Sequence, residues 1–189
     1  MYNVSFFGLK ENLEYGRQAI DAVKKDFPNG FKSNSYYNVF EKNKDPEVGC
    51  ELGMLISKTR ERIDDNKKHG MDKYEATIEA VKRYGCANCG EQALFINRKL
   101  SEQGVRNKII IMDIRNNNTN YSEDGHTFCV IDDRDIDARE PRNWSDNAVI
   151  VDMWSNTVCQ AKEGIKYFYD LFKPNKHTQY VSFYEDFYV

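Results

Sequence analysis

Up to Gly104 the apolar residues of this chain recur at helical spacings; from Val105 onward they cluster or alternate. That switch of period constrains the fold more than any other feature, because a 3.6-residue repeat buries a helix stripe and a two-residue repeat a sheet face. Helices first and strands afterwards is an α+β pattern. Leu13, Ala19, Ile20 and Val23 mark a first helix over Lys10 to Asp26, broken by Pro28 and Gly30, and residues 29–45 read as a loop. Asp45-Pro46 starts a second helix, a capping carboxylate followed by a proline whose missing N–H is not needed there. It ends near His69-Gly70, and a third runs from Asp72 to Tyr84-Gly85. A fourth begins at Cys89 and closes at Gly104. Strands are expected over Val105 to Ile114, His126 to Ile131, Asn147 to Asp152 and Tyr180 to Val189. Between them lie a polar loop, Asn116 to Asp124, a charged connection, Asp132 to Trp144, and a short helix, Lys162 to Phe172.

A chain of 189 residues suits one domain, with a helical N-terminal part over residues 1–70 and a core over residues 71–189. The 27 basic and 30 acidic side chains give a net charge of -3, without the basic excess of a nucleic-acid binder. Lys58, Arg60, Arg62, Lys67 and Lys68 are interleaved with Glu61, Asp64 and Asp65, as on a solvated helix face. No run of 18 apolar residues occurs, so no membrane span is expected, and the first residues lack the features of a signal peptide. The five cysteines, an odd number, read as reduced thiols in a cytoplasmic setting rather than a disulfide framework.

Three residues carry chemistry. Cys89 stands where the fourth helix begins, and free N–H groups and the helix dipole stabilise a thiolate there. Gly90 beside it leaves room for a substrate backbone, and the N–H groups of that turn suit a tetrahedral oxyanion. A thiolate needs a base, and His126 opens a strand just after Asp124-Gly125. Alternation puts His126, Phe128 and Val130 on one sheet face; if that face meets the helical layer, His126 lies at the layer's rim. Asp152 ends the apolar run Ala148-Val-Ile-Val, where a lone carboxylate is costly unless paired. A histidine on a neighbouring strand is its natural partner.

The order Cys, His, Asp, with steps of 37 and 26 residues, resembles the papain-like and transglutaminase-like superfamily. Gly85-Cys-Ala-Asn-Cys-Gly-Glu-Gln-Ala is similar to the nucleophile motif of its bacterial members, Gly125-His-Thr-Phe-Cys-Val-Ile to the histidine strand, and Val149-Ile-Val-Asp-Met-Trp to the acidic strand. The resemblance spans Tyr84 to Trp154. It implies a papain-like fold with N-terminal helices on an antiparallel sheet, and a protease, deamidase or transglutaminase acting on a protein substrate without a cofactor. Several bacterial secreted effectors share this compact form, so translocation into a host cell is a further implication. Two departures stand out: Phe128 replaces a common tryptophan, and Val81-Lys-Arg-Tyr-Gly lacks the glutamine that often supplies a second oxyanion donor.

Each residue also has a plainer reading. Cys86 and Cys89 form a C-x-x-C, but no second pair exists at zinc spacing and a helix rather than a strand precedes it; no metal is expected. The competing reading is a non-enzymatic binding or scaffold module with Cys86 and Cys89 as a structural or metal-holding pair. Glu91 and Trp154 are expected, with Gly90, at the substrate cleft, although Glu91 also suits an ordinary first-turn acid and Trp154 an ordinary packing residue. His69 and His177 read as solvated.

Overall fold

A computed structural model describes residues 8–34, 36, 45–114, 124–132, 134, 137, 140–172 and 179–183. Among these are five helices, α1 (Leu9–Asp26), α2 (Pro46–Lys68), α3 (Lys73–Tyr84), α4 (Cys89–Glu102) and α5 (Ala161–Phe172). The strands are β1 (Asn107–Ile114), β2 (Asp124–Ile131), β3 (Val149–Asp152), β4 (Thr157–Gln160) and β5 (Gln179–Phe183). They form one sheet in the order β4-β3-β2-β1-β5, and every neighbouring pair is antiparallel. The α+β class therefore holds. No helix among the described residues is long and apolar enough to cross a membrane.

The helix ends follow from the caps in the sequence. Asp45 accepts the Glu47 N–H at 2.9 Å ahead of Pro46, and Asp72 accepts those of Tyr74 and Glu75. Gly85 ends α3 at φ +68°, a left-handed turn that glycine adopts without the Cβ penalty. β4 was not expected. It is short and half-buried throughout, so it offers no apolar alternation. It pairs with β3 across a turn in which Asn156 takes φ +55°, a conformation asparagine tolerates. The polar loop before Asp124, much of the loop after Asn34 and the tail after Phe183 lie outside the described residues.

The sheet buries both faces. Ile109, Cys129, Ile131, Val149 and Val151 meet α1 and α4 through Ala19, Ile20, Val23, Phe95, Ile96 and Leu100. Ile110, Phe128, Val130 and Ile150 meet α5 and the connection before β3 through Ala161, Phe168 and Trp144. α1 thus belongs to the main core, although the sequence groups it with the N-terminal helices. α2 and α3 form a hairpin, tied by Arg62 Nε on Glu79 Oε2 at 3.0 Å and by the cluster of Ile63, Ala76 and Ala80, and α3 joins the main core through Val81.

α1 lies close to the sheet because Gly16 has no side chain. A Cβ there comes within 2.8 Å of methyl groups of Val151 and Val158, whereas one at Gly53, on α2, meets nothing within 4 Å. Both sites are helical, where alanine gains about 0.5–1 kcal/mol over glycine, but overpacking a core costs about 1–3 kcal/mol. Gly53→Ala should therefore raise the free energy of urea unfolding by about 0.5–1 kcal/mol. Gly16→Ala should lower it by about 1 kcal/mol, and equal shifts in the two variants would contradict this packing.

Candidate active site

The site is assembled around the N-terminus of α4. Asn88, the residue before the helix, gives its backbone N–H to Glu91 Oε2 at 2.9 Å, and Glu91 Oε1 accepts Arg60 Nε at 3.0 Å. The Asn88 side chain turns toward the segment after α1. Its Oδ1 accepts Ser33 Oγ at 2.8 Å, and its Nδ2 donates to Asn34 Oδ1 at 2.7 Å. A one-residue parallel bridge between Lys32 and Cys86 fixes that segment. Gln92 is turned inward, donating to the Ala87 carbonyl at 2.8 Å, and so stiffens the turn. Cys89 is then the first helical residue, half-buried, at the positive end of the helix dipole.

The structure brings Cys89, His126 and Asp152 together. The His126 side chain is hydrogen-bonded to Cys89 and, through Nε2, to Asp152 Oδ2 at 2.9 Å. With Nε2 taken by the carboxylate, Nδ1 is the ring nitrogen left for the thiol. His126 is 1% exposed and Asp152 2%. Asp152 Oδ1 accepts the backbone N–H of Trp154 at 3.0 Å, and Oδ2 also accepts Ser155 Oγ. The imidazole is walled by Trp154, with ring centroids 4.7 Å apart, and by Phe168 of α5 at 4.9 Å. Trp154 Nε1 in turn donates to Ser33 Oγ at 3.2 Å, and the exposed Tyr36 ring meets it edge-on at 5.5 Å.

Phe128 and Val130 face α5 and Trp144, and His126 shares that side of the sheet with Phe168. It still meets Cys89 because β3 pairs with β2 only as far as Cys129. Beyond that point the flank of β2 is open to the Trp154 turn and the α4 N-terminus.

The other predicted residues divide. Gly90 is exposed on the first turn of α4. Glu91 is engaged as a capping and ion-pairing group. Trp154 is buried and braces His126 rather than offering an open surface. Cys86 is fully buried and its thiol is pushed up by burial; burial also pushes Cys159 up to about 11 and Cys129 further. Among the described residues no three His, Cys, Asp or Glu side chains gather as a metal's ligands. Sequence reading missed Ser33, Asn34, Ser155 and Phe168. For Ser155 a signal existed, since a hydroxyl three residues after a buried aspartate can reach back to it across a turn.

Burial alone pulls the His126 pKa down, because it disfavours the imidazolium. The Asp152 charge and hydrogen bond, then Cys89, outweigh it and raise the pKa to about 9 from 6.5. His126 is thus an imidazolium at neutral pH. A pKa raised on folding stabilises the fold fully below the unfolded value, and that contribution fades as pH rises from about 6.5 through about 9. It amounts to about 3 kcal/mol at 1.36 kcal/mol per unit. Urea unfolding at pH 6 and pH 9.5 should show wild type losing a contribution of this order, and Asp152→Asn losing much less.

Compared with family models, with curated proteins and with solved structures, the chain matches none at a significant level.

Proposed function

We propose that this protein is a thiol-dependent acyl-transfer enzyme of papain-like or transglutaminase-like architecture, acting on protein amide bonds through Cys89, His126 and Asp152. The observation that carries the reading is a buried histidine held between a carboxylate and a cysteine at a helix N-terminus. A packing cysteine needs no such partner, and a structural histidine needs no thiol.

The steps follow from the placement. The Cys89 thiolate attacks the amide carbon, and the carbonyl π pair moves to oxygen. The first N–H groups of α4 have no acceptor within the helix and receive that oxyanion. Asn34, whose Oδ1 is held by Asn88, brings a side-chain N–H2 to the same end of the helix as the candidate second donor. His126 gives its proton to the departing nitrogen, the C–N bond breaks, and a thioester remains on Cys89. Water or an amine then attacks the thioester as His126 takes its proton, and Cys89 leaves as thiolate. Water as acceptor makes the enzyme a protease or deamidase, an amine a transglutaminase. Asp152 keeps the ring oriented throughout and neutralises it whenever it is an imidazolium.

Peptide mass spectrometry after a brief iodoacetamide pulse at neutral pH tests the pair. Cys89 should be alkylated at least tenfold faster than Cys86, Cys129 or Cys159, and His126→Ala should slow it at least tenfold while leaving exposed Cys50 unchanged. A Cys89 rate indifferent to His126 would end this reading.

A further inference from the structure

Against the first turn of α4, starting at the residue after Cys89, lies a cavity of about 360 Å³ that the mechanism above does not use. Its wall includes Gly90, the residue after Cys89, and Thr127, which by alternation lies on the same face of β2 as Cys129 and opposite to His126. Its floor is apolar and buried: Ile63 from α2, Leu94 from α4 and Ile109 from β1. Its rim carries Arg60, Asp64, Lys73 and Glu91, two charges of each sign that sum to zero. The outer half comes from the α2–α3 hairpin, which the family resemblance does not cover.

We infer that this cavity receives an uncharged, largely apolar side chain of the substrate, of leucine, methionine or phenylalanine size, next to the carbonyl that Cys89 attacks. The inference rests on the reading of Cys89 as the nucleophile. A volume near the lower end of the ligand-site range, about 300–1,000 Å³, suits one side chain rather than a cofactor. The apolar floor rewards the body of such a side chain, and the balanced rim gives a charged one no net attraction to offset its lost hydration. Gly90 guards the entrance: a Cβ there meets nothing within 4 Å, so the space above it is open. The hairpin then has a role, as the outer wall of a specificity pocket.

The test uses N-acetyl aminoacyl vinyl sulfones carrying glycine, leucine, methionine, phenylalanine, lysine or glutamate side chains. The Cys89 sulfur bonds to the vinyl carbon attached to the side-chain-bearing carbon, the double-bond pair moves to the carbon beside the sulfone, and that carbon takes the His126 proton. The leucine, methionine and phenylalanine probes should label Cys89 ten- to a hundredfold faster than the glycine, lysine and glutamate probes. Gly90→Leu, at an exposed helical position, should bring the leucine-to-glycine ratio close to one. Asp64→Asn leaves the rim net positive and should speed the glutamate probe relative to leucine at least threefold. Equal rates across the probes, or a leucine preference that survives Gly90→Leu, overturns the pocket while His126-dependent iodoacetamide labelling keeps the nucleophile. Loss of that labelling overturns both.

Discussion

Two ionisable groups almost closed to water, His126 and Asp152, set the terms for the rest of this structure. Removing each charge from water costs several kcal/mol, and their attraction offsets this only if the remaining polar valences are met. Asp152 meets them with the Trp154 N–H and the Ser155 hydroxyl, so the turn after β3 is shaped by a carboxylate. The aromatic wall of Trp154 and Phe168 keeps water out and fixes the ring plane. The Ser33 hydroxyl then holds Trp154 and Asn88 at once, coupling the acid end of the site to the helix that presents Cys89.

The setting of Cys89 therefore depends on five separated segments: the turn after α1, the start of α4, the start of β2, the turn after β3, and α5. None is rich in chemistry alone. The thiols divide by environment: Cys86, Cys129 and Cys159 are held up by desolvation, Cys50 is exposed, and Cys89 stands half-buried against His126. Identical functional groups acquire different tasks from the dielectric around them.

Much of the fold was legible because capping is local. Asp45-Pro46, Asp72 and Gly85 place helix ends through contacts within four residues, and the structure puts them where the sequence does. The meeting of the three candidate residues was legible for a related reason, since each breaks its local pattern: a cysteine at a helix start, a histidine after a glycine, an aspartate after apolar residues. What escaped depends on long-range packing. Ser33 and Asn34 act on Asn88 from about 55 residues away, within a stretch whose composition says only loop. The sheet face bearing His126 could not be assigned, because both faces of β2 are apolar and both are covered by helices. β4 escaped because a half-buried edge strand has no periodicity to show.

The strand order has a bearing on how the chain is made. β1 pairs with β2 on one side and with β5 on the other, and β5 is drawn from residues about 70 positions later. During synthesis from the N-terminus, the run Asn-Lys-Ile-Ile-Ile-Met-Asp-Ile of β1 emerges long before its second neighbour exists. Its outer edge then offers unpaired N–H and C=O groups on a β-prone segment, a template for pairing with another nascent chain. The step that completes the sheet is thus also the step that removes a site of aggregation, and the interval before it is when the growing protein most needs a chaperone.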